Sequence, residues 1–130
     1  MTPEQFLTEL IVSANAEFKS NVRTGNGTDL ETFLKSKAAA KPSAYISYEG
    51  YSEIDTSEDG KRVEDAENYV MYLLVNNSVK PYHKAIREKL LECGSEFTDE
   101  DGNDKYVSMP NGQAYRENGS DAFAITVIIK

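Results

Sequence analysis

Apolar residues recur at three- and four-residue steps at the start of the chain, at Phe6, Leu7, Leu10, Ile11, Ala14 and Phe18. That spacing puts them on one face of a helix. Thr2 can cap this helix, and Pro3 suits its first position, where a missing N–H leaves no bond unmade. Arg23–Gly27 (RTGNG) breaks it. Thr28–Glu31 reads as a capping box, and Leu30, Phe33 and Leu34 give a second, shorter apolar face that Pro42 ends. The period then changes to two. Over Ser43–Tyr51, Ala44, Ile46 and Tyr48 alternate with Tyr45 and Ser47. Over Glu67–Val75, Tyr69, Met71, Leu73 and Val75 alternate with Val70, Tyr72 and Leu74. Both patterns predict strands. The second is apolar on both faces, so it reads as a central strand or as one covered by a neighbouring subunit.

The helical period returns over Val79–Cys93, with Tyr82, Ile86, Leu90 and Cys93 on the buried stripe and Gly94 at the terminator position. Glu96–Val107 reads as a short hairpin around Asp101-Gly102, and Pro110-Asn111-Gly112 as a further turn. Tyr115–Ile129 reads as one closing strand in which Phe123, Ile125, Val127 and Ile129 share a face. Helices do not alternate with single strands, so a doubly wound parallel fold is not expected. The pattern predicts an α+β fold: a mainly antiparallel sheet with a long β-hairpin and helices packed on one face. The expected core is Phe6, Leu10, Ile11, Ile46, Met71, Leu73, Ile86, Leu90, Ile125 and Val127.

At 130 residues, 39% hydrophobic and 28% charged, residues 1–130 read as a single globular domain. No apolar run is of membrane-spanning length, and the first residues lack the basic start of a secretory signal, so a cytoplasmic protein is the expectation. The single cysteine, Cys93, allows no intrachain disulfide. Charge is unevenly placed. Residues 49–67 hold eight acids and two bases, net −6, and residues 92–104 hold six acids and no base, again −6. Against a total of −8, the rest of the chain is net +4. A nucleic-acid binder needs the reverse, a basic stripe facing phosphates. Acidic blocks suit solvated loops, or loops that meet a basic partner. The crossing Ser52–Glu64 offers little to bury and is expected to be mobile in the isolated subunit, ordering on assembly.

No residue cluster demands chemistry. Asp55, Ser57, Asp59 and Gly60 resemble the start of a calcium loop, but the twelfth position is Ala66 rather than Glu and the eighth is Arg62. His83 has no second histidine or cysteine at metal-ligand spacing, and Cys93 has no basic partner nearby in sequence. No phosphate-binding glycine loop and no hydrolase or metalloprotease motif occurs. The sequence thus points to no enzyme, no cofactor and no metal site. Of the eight tyrosines, Tyr45, Tyr48, Tyr51, Tyr69 and Tyr72 lie on the two long strands. Tyrosine serves half-buried sheet faces and interfaces alike.

The layout of PSAYISYEGY, the acidic crossing through EDGKRVEDAE, NYVMYLLVNN, SVKPYHKAIREKLLEC and YRENGSDAFAITVIIK resembles the tail terminator or tail completion (neck) proteins of long-tailed bacteriophages. The likeness spans Lys41 to Lys130, and the segment Thr28–Lys37 departs from it. The resemblance implies a virion assembly protein made in the bacterial host cytoplasm and placed at the virion neck. It would form a homo-oligomeric ring, commonly a hexamer, that ends the tail tube. Its partners would be itself, the tail tube protein and the head connector protein, with no nucleic-acid specificity and no membrane. The expected interface residues are Tyr45, Tyr48, Tyr51, Glu53, Asp55, Glu58, Asp59, Tyr69 and Tyr72. The alternative is an acidic binding module, immunity- or antitoxin-like, that covers a basic partner protein.

Overall fold

The computed structural model describes residues 1–36, 42–56, 63–76, 78–117 and 120–130. Helix α1 spans Pro3–Ala14 and a 3-10 turn follows at Ala16–Phe18. Then come β1 (Val22–Gly25), α2 (Leu30–Lys35), β2 (Ser43–Thr56) and β3 (Val63–Leu74). Helix α3 (Lys80–Glu92), β4 (Glu96–Thr98), β5 (Asp104–Glu117) and β6 (Ser120–Ile129) complete the chain. The strands form one mixed, curled, mostly antiparallel six-stranded sheet in the order β1-β2-β3-β6-β5-β4. The chain is therefore α+β, and only β1 pairs in parallel, with Val22–Gly25 beside Ala44–Ser47.

Local chemistry explains the helix starts. Thr2 Oγ1 accepts from Gln5 N–H (3.1 Å) while Thr2 N–H donates to Gln5 Oε1 (2.8 Å), a reciprocal capping box. The second helix is not capped as expected. It begins at Leu30 behind Asp29, and no side chain caps it. The Asp29 carboxylate is taken by the hydroxyl of Tyr45 instead. Gly94, at φ +77°, ends the last turn of α3 in the left-handed region.

All ten expected core residues are buried and belong to one cluster between the sheet and the pair α1 and α3. Phe6 stacks on Phe97 of β4 (4.6 Å), and Phe18 meets Tyr82 of α3 edge-on (5.9 Å). The short α2 departs from the one-face expectation. Its Phe33 and Leu34 pack with Tyr45, Tyr72, Leu74 and Ala122, which alternate with the main-core residues and so occupy the other face. The second apolar face of the central strand β3 is thus partly covered from within the chain.

Four further expectations change. β1 forms where a helix break alone was read. Pro110-Asn111-Gly112 is no turn: β5 runs through it with a register shift between Ser108 and Asn111. Tyr115–Ile129 divides between β5 and β6, and residues 118–119 lie outside the described ones. The two strands flanking the crossing are longer than the alternation implied. Ser52 pairs with Ala66 and Thr56 with Val63, so the ladder extends well past Tyr51. Residues 57–62, including Glu58, Asp59 and half of the calcium-like loop, lie outside the described residues.

Candidate functional site

At the end of the sheet where β2 and β3 continue beyond β6, the start of α1 and the β4–β5 turn close around an open cleft of about 630 Å³. Six carboxylates (Glu4, Asp65, Glu67, Asp99, Glu100 and Asp101) and one base, Lys105, line it. Tyr48 and Tyr69 form its floor, edge to face at 5.3 Å. The Tyr69 hydroxyl donates to Glu4 Oε1 (2.9 Å). Burial first, and this bond second, push the Tyr69 phenol well above its ordinary range. The Tyr48 phenol is also raised, chiefly by its hydrogen bond to Glu67. Asp99 shapes the turn: its Oδ1 accepts from the N–H groups of Asp101 (2.9 Å) and Asn103 (2.8 Å). The Asn103 bond, foremost, holds its carboxyl below the usual range. Such a cleft offers acceptors and ring faces to a lysine or arginine head group. Among the described residues no three His, Cys, Asp or Glu side chains converge as a metal site needs.

The expected interface residues divide. Tyr45, Tyr69 and Tyr72 are buried within the subunit, at 0%, 4% and 6% exposure, and of the three only Tyr69 borders the cleft. Tyr45 ties the loop after β1 to the sheet, donating to Asp29 and accepting from Gly27 N–H (3.3 Å). Tyr72 meets Tyr115 edge-on (5.2 Å). Tyr48 and Tyr51, at 37% and 67% exposure, remain available on β2. Glu53 and Asp55 lie on the same strand, in the ladder with β3. Cys93, read as a stripe residue, is exposed at the end of α3.

Sequence reasoning missed the sheet edges. β1 covers the outer side of β2 only at Ala44–Ser47, so among the described residues Glu49–Thr56 have no strand on that side. At the opposite side, β4 covers β5 only at Asp104–Tyr106, and Val107 N–H reaches Ser95 O (2.8 Å). Beyond that point no described strand lies outside β5. Beside this second edge, α3 contributes His83 and Arg87 to a groove of about 260 Å³ over Met109–Gly112 and Phe123. The His83 ring stacks flat on Phe123 (4.4 Å, 8°), and Arg87 Nη2 lies 3.1 Å from His83 Nδ1. Burial, then the charges of Arg87 and Lys80, lower the His83 pKa, so near neutral pH the ring accepts from the guanidinium. No local pattern signals a strand edge; only the strand order reveals it.

No protein-family model matches the chain, and no curated protein matches it in sequence.

Proposed function

We propose that the chain is a structural assembly protein of a phage tail, which forms a ring and ends the tail tube beneath the head. One observation carries this reading: among the described residues, a single sheet has strand edges without a partner strand on its two opposite sides, at β2 and at β5. Unpaired edges that natural proteins leave uncovered invite pairing with another chain. Two different edges on one subunit give a head-to-tail contact, and such contacts make rings when the rotation closes. The β2–β3 pair, projecting as a long hairpin past β6, supplies an acidic arm toward a tube or connector subunit. The resemblance in layout to tail terminator proteins agrees with this use. The test is direct. Tube protein of the cognate phage is polymerised with and without the purified chain, and tube lengths are counted by electron microscopy. The reading expects growth to stop at short, capped tubes; unchanged lengths with no ring at either end contradict it.

The acidic cleft favours a second reading, an acidic module that covers a basic partner protein. That reading needs no self-association, so a chain monomeric at all concentrations would support it over the ring.

A further inference from the structure

We infer that the outer edge of β5 at Gly112–Ala114, with the groove formed by Phe123, His83 and Arg87, receives the outer edge of β2, Glu49–Thr56, from a second copy of this chain. The inference rests on the ring reading and names its contact. Three observations lead to it. The first is backbone direction. Tyr106 and Lys130 exchange both of their backbone hydrogen bonds (3.0 Å each). In an antiparallel pair such exchanging partners alternate along the strands. Asn111 opposite Thr126 and Gln113 opposite Ala124 continue the series on β6. The N–H and C=O groups of Gly112 and Ala114 therefore face away from β6. Both residues are exposed.

The second observation is the built wall beside that edge. A Cβ on Gly112 would stand 2.7 Å from Phe123 Cε1, so only glycine lets the ring lie over the strand. That ring carries His83, and His83 in turn engages Arg87. The third is charge. Glu49–Thr56 carries Glu49, Glu53 and Asp55 and no base, while the groove presents the Arg87 guanidinium. An acidic strand laid on β5 places its backbone against Gly112 and Ala114, and its net negative charge suits a groove that presents Arg87. The same strand could not dock on its own subunit, because its edge lies on the opposite side of the sheet.

The test compares self-association of wild type, Ala114→Pro and Arg87→Glu by sedimentation velocity. Salt is held near physiological strength, where the Debye length is about 8 Å and net subunit repulsion is screened while contact pairs persist. Proline at position 114 removes an outward N–H and leaves the ladder to β6 intact. Arg87→Glu changes an exposed side chain and reverses the groove's charge. The proposal expects each variant to weaken association about tenfold or more, at an unchanged thermal midpoint. Should Ala114→Pro unfold, Arg87→Glu decides alone. A wild type that assembles while Arg87→Glu assembles equally well overturns this contact and leaves the ring reading standing. A wild type that stays monomeric overturns both.

Discussion

Tyr45 shows how one side chain can be misread from its neighbours. On a strand with Tyr48 and Tyr51 it has the same amphipathic character, yet its ring is fully buried against Phe33 (5.5 Å) and its hydroxyl is engaged by Asp29 and Gly27. Asp29 is thereby drawn away from capping α2. His83 is the second side chain whose surroundings spacing concealed. Sequence spacing left it without a partner, whereas the fold stacks it on Phe123 and sets Arg87 against Nδ1. As the chain's only histidine, it gives one unambiguous imidazole signal. Its folded pKa is lowered from the ordinary 6.5, by burial before the charges of Arg87 and Lys80. Folding thus favours the neutral ring. The stability it contributes is fully present above 6.5 and is lost as pH falls through the lower folded value. Proton NMR should show a midpoint below 6.5, moving upward in Arg87→Gln. A midpoint at or above 6.5 would mean that the ring stands free of Phe123 and Arg87.

Among the elements, those with a strong period were legible and those placed by topology were not. The apolar stripes of α1 and α3 and the alternation in β2, β3 and β6 identify ten residues of the main core, to which Phe97 of β4 and Val107 of β5 are among the additions. Leu90 sits on α3 at 5% exposure within that core. Leu90→Ala should cost about 2–5 kcal/mol, read as a lower denaturant midpoint. An unchanged midpoint would detach α3 from the sheet. β1 escaped because Arg23-Thr24-Gly25 has no apolar alternation, and it forms by a parallel, non-local pairing with β2. The turn expected at Pro110 rested on sound turn chemistry, but a register shift lets β5 carry those residues through the sheet. The second face of β3 was legible as apolar, and a period of two cannot say whether α2 or another subunit covers it. The acidic cleft draws Glu4, Glu67 and Asp99 from three separate parts of the chain. Its composition was visible in the two acidic blocks, and its shape was not.

For the whole molecule, the account turns on where the sheet ends. Closing a sheet or covering its edges is the usual way to prevent chance pairing. Here the two outermost strands are short, four residues in β1 and three in β4, and among the described residues no other strand covers the rest of their longer neighbours. The uncovered part of β2 is acidic, and the uncovered part of β5 lies beside Arg87, so the two edges differ in character and suit each other. A net charge of −8 per subunit opposes association at low salt, which leaves assembly dependent on protein concentration and on screening. The most direct measurement is native mass spectrometry of the full chain over a range of concentrations, near physiological ionic strength before transfer. The account predicts that mass rises from the 14.5 kDa subunit to one closed species, a fixed multiple that then stops growing. A chain that remains at the subunit mass at every concentration, or grows as an open ladder without a terminal species, contradicts it.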